Sequence, residues 1–248
     1  MEKISKSQVK LIKSLQLKKF RDETGLFVVE GEKCVEELRK GFELVNLYRE
    51  GENATRTEIE QMSGLRTPQG VICVFKKRPI SDCRLKQEDL ILALDGVQDP
   101  GNLGTIIRTC DWFGIHTIVC SHETADCYNP KVVQATMGAL ARVHVHYTDL
   151  PAWLKELKIK NEELRIYGTL LDGKDMYAEL KSCQLSAVSH LPSVIIMGNE
   201  GNGISQAVRS FITHPIRIPS YPKNVETSES LNVSIATAIV LAEFRRLT

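Results

Sequence analysis

The chain has 248 residues, 42% hydrophobic and 25% charged, the balance of a soluble globular protein long enough for one large or two small domains. A net charge of +1 excludes indiscriminate polyanion binding, and the seven cysteines hold no Cys-x-x-Cys pair to suit a disulfide framework or a zinc finger. No apolar run approaches a membrane span, so neither signal peptide nor transmembrane helix is expected, and the setting reads as a reducing cytoplasm without a metal.

Residues 1–21 carry seven Lys and Arg against the single acid Glu2. Lys3, Lys6, Lys10 and Lys13 recur at three- and four-residue spacing and share one face of a predicted helix. Ile4, Leu11, Ile12 and Leu15 fall opposite, and Lys18, Lys19 and Arg21 extend the charge. Such a face is either solvated surface or a contact for nucleic-acid phosphates. Leu26–Val29 reads as a short buried strand, Glu32–Arg39 as a helix closed by Gly41, and Leu44–Tyr48 as a second strand. Thr57–Met62 is a short helix and Gly70–Phe75 a further strand, which completes a small α/β unit. Lys76–Asp82, with three positive charges and a proline, has the composition of a linker.

Beyond it, strands are expected at Leu90–Leu94, Thr117–Cys120, Val143–Tyr147, Arg165–Leu171, Val194–Met197 and Pro215–Ile218. Helices are expected near 104–113, 131–140, 150–157 and 204–211, and over Leu231–Leu247. This alternation argues for a mainly parallel sheet covered on both faces. His144 and His146 alternate along one strand face, with a metal pair as the alternative. The last helix is apolar on nearly every side, as in a core or a subunit interface. Ser230, Asn232 and Ser234 at its mouth are either caps or a seat for a ligand.

Two further stretches carry candidate chemistry. In Asp95–Gly104, Pro100-Gly101 fits a tight turn and Asn102 can cap the helix that follows. Arg108 lies in its second turn, and Ile106, Ile107, Trp112 and Phe113 mark the buried side. Ser193–Ser205 is a strand running into a loop, Gly198-x-x-Gly201-x-Gly203, that is neither the dinucleotide fingerprint nor a P-loop. Glycines there let backbone N–H groups approach a ligand, and Gly198 leaves it room. Glu200, a carboxylate between glycines, has little packing role.

Asp99-Pro-Gly-Asn-Leu-Gly with Arg108, then Met197-Gly-Asn-Glu-Gly-Asn-Gly203, then Ile216–Pro219 with Ser230-Leu-Asn-Val-Ser234, resemble the ordered motifs of the SpoU (TrmH-like) RNA 2′-O-ribose methyltransferases of the SPOUT superfamily. Lys18–Gly31 resembles the small substrate-binding domain of many of them. The resemblance implies a ribosomal-protein-like α/β RNA-binding domain over 1–78 and an α/β methyltransferase domain with a deep trefoil knot over 89–248. It also implies S-adenosylmethionine as methyl donor, a homodimer, and structured RNA as substrate, ribosomal rather than transfer. By the same resemblance Met197, Gly198, Asn199, Gly201, Ile218 and Leu231 would hold the donor, and Asn102, Arg108, Glu200, Ser230 and Asn232 would be the functional polar positions. Accounts of the family give the proton to Arg108, but a guanidinium is a poor resting base, so Arg108 is expected instead to grip the phosphate beside the target ribose, with Glu200 orienting Arg108 or the nucleotide and the proton acceptor unassigned. The stretch Ser220–Ser228 is longer than the family pattern. A non-catalytic RNA-binding protein is the rival class, and the intact Asn102, Arg108, Glu200 and Asn232 argue against it.

Overall fold

The structure, a computed structural model, describes residues 4–79, 90–184 (backbone alone at 183 and 184), 192–222, 225 and 228–247. Lys3 and the end of the linker at 80–82 lie outside the described residues. In chain order the elements are α1 (Lys6–Ser14), α2 (Lys18–Thr24), β1 (Leu26–Glu30), α3 (Glu32–Leu38), β2 (Leu44–Arg49), α4 (Arg56–Met62) and β3 (Val71–Lys76). There follow β4 (Leu90–Asp95), α5 (Pro100–Trp112), β5 (Thr117–Cys120), α6 (Pro130–Thr136), β6 (His144–Tyr147) and α7 (Leu150–Lys160). The last are β7 (Arg165–Asp175), α8 (Met176–Gln184), β8 (Ser193–Gly198), α9 (Gln206–Arg209), β9 (His214–Arg217) and α10 (Val233–Arg246).

The chain packs into two compact units. The first takes in the described residues up to 79, Leu103–Arg108 and Asp126–Arg142. Its antiparallel sheet has the order β1-β3-β2. Five consecutive buried positions in β3 require cover on both faces. Ile12 of α1, Leu15 just after it, and Ile59 and Met62 of α4 cover Val28, Ile72 and Val74. On the other side Phe27 stacks on Phe75 and meets Phe42 edge-on and Tyr128. Burial there pushes the Tyr128 phenol pKa up.

The predicted N-terminal helix is two helices. Ser5 and Gln8 form a capping box that opens α1, and the chain breaks before Lys18. Arg21 holds the break together. It is 1% exposed, and its Nη1 donates to the carbonyls of Leu15 and Gln16 at 2.8 and 2.9 Å. Its Nε and Nη2 donate to the Asp126 carboxylate at 3.0 and 2.7 Å. Arg21 is therefore an internal strut and not an RNA contact, which corrects the sequence expectation.

In the second unit the strands lie β6-β5-β4-β8-β7-β9, every pair parallel. Beneath α7 and α9, the side chains Ile91, Ala93, Ile166, Val194 and Ile196 form one core with Leu150, Leu154 and Val208. Strand alternation turns Tyr167 to the opposite face, where its ring meets Phe244 of α10 edge-on at 4.8 Å. His144 and His146 stack on β6, with ring centroids 6.5 Å apart, and among the described residues no His, Cys, Asp and Glu group would hold a metal. No helix among them is long and apolar enough to cross a membrane.

Several boundaries differ from the sequence reading. The helix near 131–140 stops at Thr136, because Met137 and Gly138 take left-handed φ of 51° and 90° before a short 3-10 turn. The helix near 204–211 shrinks to α9. Strand β7 runs on to Asp175 through a register shift, with Thr169 and Lys174 both paired to Ile216. Trp112 is 85% exposed, on the opposite side of α5 from Ile106 and Ile107. Helix α10 turns Val233, Thr237, Val240, Leu241 and Phe244 inward, but Ile235 is 55% exposed, Ala242 is exposed, and Ala238 and Ile239 are half-covered. Within the chain it is therefore covered on one side only, and its outward side stays apolar.

Candidate active site

The carboxyl ends of β4 and β8 and the start of α10 carry the polar positions, the edge where ligands bind in parallel α/β sheets. Asp99 caps α5, its carboxylate accepting from the Asn102 N–H at 2.8 Å, and Pro100 takes the first helical position. Asn102 is thus inside the helix, neither its cap nor after a tight turn, and its amide is released for other work. Its Nδ2 donates to Glu200 Oε1 at 2.8 Å, and its Oδ1 accepts from Asn232 Nδ2 at 3.0 Å. Asn232 caps α10: its Oδ1 accepts from the N–H groups of Ser234 and Ile235 at 3.0 and 3.3 Å and from Ser234 Oγ at 2.6 Å. Three residues far apart in sequence form one hydrogen-bonded chain.

Glu200 stands on a closed turn. Asn199 and Gly203 exchange backbone hydrogen bonds, each 2.9 Å. Asn199 Oδ1 accepts from the N–H groups of Gly201 and Asn202 at 2.8 and 3.0 Å, and its Nδ2 donates to the Gly96 carbonyl at 2.7 Å. The loop donors expected to reach a ligand are thus spent on the turn itself. A Cβ on Gly198 would lie 2.3 Å from the Gly203 carbonyl carbon and 2.4 Å from the Ile204 nitrogen, so the space beside Gly198 is filled by its own loop, not reserved for a ligand. Gly198→Ala is expected to force the turn open, costing about 1–3 kcal/mol and displacing Glu200. Thermal melting of the variant checks the first effect, and an unchanged melting point would refute it.

Buried Asp95 accepts from the Ser205 N–H at 2.7 Å, and Ser121 Oγ accepts from the Gly96 N–H at 2.9 Å. With Glu123, Asp149, Asn199 and Asn202 they line a cleft of about 450 Å³ at this edge. Of this second set sequence reasoning named Asn199 and passed over Ser121, Glu123 and Asp149. The Asp99-Pro100 pair alone had a readable signal, that of an N-cap followed by proline.

The remaining predicted residues are placed as follows. Arg108 is exposed and its side chain makes no hydrogen bond or ion pair among the described residues. It lies one turn beyond Gly104, on the helix face where a Cβ would sit 2.4 Å from Ala135 Cβ. Ser230 is exposed. Met197 is buried, Ile218 half-covered and Leu231 49% exposed. Strand β7 lies between β8 and β9 in the sheet and separates the segments that leave them. Lys6, Lys10, Lys13, Lys18 and Lys19 are exposed; Lys18 and Lys19 pair with Asp22 and Glu23, while the first three form no ion pair among the described residues.

Residues 89–242 match the model of the SpoU rRNA Methylase family, and residues 6–61 match that of the MRM3-like substrate binding domain. The 23S rRNA (guanosine(2553)-2′-O)-methyltransferase of Bacillus subtilis is 31% identical, over 99% of this chain and 98% of the relative. A TrmH-family protein from Porphyromonas gingivalis superposes with a TM-score of 0.86 at 34% identity, covering 99% of this chain and 100% of the other. An AdoMet-bound rRNA methyltransferase from Sinorhizobium meliloti gives 0.83 at 29%, over 99% and 97%. Parallel sheet, polar edge and these matches define an RNA methyltransferase, of a class that takes its methyl group from S-adenosylmethionine. The chain belongs to the SpoU rRNA methylase family.

Proposed function

We propose that the chain transfers a methyl group from S-adenosylmethionine to a ribose 2′-hydroxyl of structured RNA, ribosomal rather than transfer. The observation that carries the reading is the Glu200–Asn102–Asn232 chain, which unites polar residues of three separate motifs at one edge of the sheet. The Bacillus relative, aligned from end to end, supports a ribosomal target. Residues 89–248 form the methyltransferase domain with its trefoil knot, and 1–78 the RNA-binding domain. Met197, Gly198, Asn199, Gly201, Ile218 and Leu231 shape the donor site, where Gly198 and Asn199 act by setting the turn.

When bound, S-adenosylmethionine supplies an electrophilic methyl group. The chain has to align the ribose hydroxyl with it and accept charge as the proton leaves. Arg108 presents a fork of N–H donors and no acceptor, so it grips the phosphate beside the target ribose and stabilises developing negative charge. Ser230 contacts the sugar or phosphate.

The active form is a homodimer. Leu231, Ile235, Ala238, Ile239 and Ala242 follow one outward stripe of α10, and Arg245 ties that helix to the carbonyls of Phe113 and Gly114, next to exposed Trp112. An apolar stripe of this kind is covered by a second copy across a two-fold axis. The test is methylation of total cellular RNA by the purified protein in chelator, with the modified nucleotides mapped. A 2′-O-methyl mark at a defined ribosomal position is expected, from a protein of dimeric mass in light scattering. Absence of any methylated ribose defeats the reading, a transfer RNA mark its substrate half, and a monomeric mass its dimer half.

A further inference from the structure

We propose that Glu200 is the group that takes the proton from the ribose 2′-hydroxyl, and that Asn232 and Asn102 are positioning residues that aim it. This deepens the function proposed above and rests on it.

The direction of the hydrogen-bonded chain is fixed at one end by the backbone. At the start of α10 the N–H groups of Ser234 and Ile235 can only donate, so the Asn232 atom that faces them must be its oxygen. Its Nδ2 is then the atom 3.0 Å from Asn102, which must answer with Oδ1. Asn102 therefore turns Nδ2 to Glu200, where an acceptor waits at 2.8 Å. Amide orientations are ordinarily interchangeable, but here the helix terminus dictates both. The chain ends on a carboxylate gripped through Oε1 alone. Its second oxygen, Oε2, has no hydrogen-bond partner among the described residues, and Glu200 is exposed on a turn that Asn199 pins from within. A carboxylate held on one oxygen and open on the other has the form of a general base awaiting an O–H. Arg108 has no lone pair to offer.

In the step, Glu200 Oε2 accepts the hydroxyl proton while the 2′-oxygen forms its bond to the donor methyl carbon. The carbon–sulfur bond of the donor breaks, and its electron pair remains on sulfur, cancelling the sulfonium charge. The proton then passes from Glu200 to water. Atoms and electrons balance without another reactant.

Three variants test this, after the wild-type protein has methylated its RNA; if it does not, the underlying reading fails first and separately. Glu200→Gln keeps an oxygen for Asn102 but removes the base. It should lower kcat about 10²–10⁴-fold, with KM, RNA affinity and melting point nearly unchanged. Activity within tenfold of wild type overturns the proposal. Asn232→Asp still caps α10 but has no donor for Asn102, whose amide turns over and presents its oxygen to Glu200. The melting point should hold, kcat should fall, and the Asn102 side-chain NH₂ resonances of the ligand-free protein should shift. Unmoved resonances, or full turnover, overturn the aiming role. The double variant Asn232→Asp with Glu200→Gln closes the chain again with its direction reversed, the introduced glutamine amide now donating to Asn102. If Glu200 only positions its neighbours, turnover returns and the proposal is overturned. If Glu200 takes the proton, the resonances settle into a single new position and turnover stays low.

Discussion

Replacing Arg108 by alanine is expected to lower kcat about 10²–10³-fold, the usual effect of removing one donor aimed at developing negative charge. RNA affinity should fall less than tenfold, because under the proposed function Arg108 would be one phosphate contact among several. It is exposed and forms no ion pair among the described residues, so its loss leaves no buried partner and the melting point should hold. Lys6, Lys10 and Lys13, changed together to Gln, should behave in reverse. If each of the three contacts a phosphate, as the sequence leads one to expect, log Kd should depend on log salt less steeply by roughly 2 to 3, with kcat at saturating RNA preserved. Filter binding between low and physiological salt, beside single-turnover kinetics, separates the two. A fall in kcat for the lysine variant, or an unaltered one for Arg108→Ala, contradicts the division of labour.

Arg21→Met should lower stability by about 3–5 kcal/mol, because it leaves the Asp126 carboxylate buried and unpaired. The side chains of Arg21 and Asp126 are only 2% and 10% exposed, so solvent does little to soften the loss. For a chain of this size the melting point drops by roughly 10 °C. Adding Asp126→Leu should recover part of that, since no bare charge then remains; recovery is incomplete because Asp126 Oδ1 also accepts from the Tyr128 N–H at 3.0 Å. If Arg21 instead served RNA, the single variant would melt normally and bind RNA weakly. Differential scanning calorimetry distinguishes the two outcomes.

Arg21 also marks the limit of what the sequence makes legible. Its partner is 105 residues away, and nothing local separates it from the exposed Lys18 and Lys19. The strands were legible because runs such as Leu90–Leu94 and Val194–Met197 are apolar at every position, as a two-sided sheet demands. Helix α8 was not: Met176 and Leu180 are its only fully buried side chains among those described, too few for a period. The break after α1 was hidden because Leu15 continues the apolar pattern. At the site, Asn102 and Asn232 were legible as polar residues at helix starts, but which of them capped was not. Asn102 has Asp99 three residues ahead, and the better-placed side chain takes the N–H. That the freed amide reaches Glu200 depends on a contact 98 residues distant, which only the folded sheet supplies.

The outer strands of the six-stranded sheet, β6 and β9, are each four residues long, and β9 includes Pro215, which has no N–H to give. Such brief, interrupted borders offer little backbone for another strand to add to, so the sheet resists growing into fibres through its flanks. Backbone pairing, which any sequence can enter, is thereby disfavoured, and contact with another chain is left to side-chain surfaces, where the side chains choose the companion.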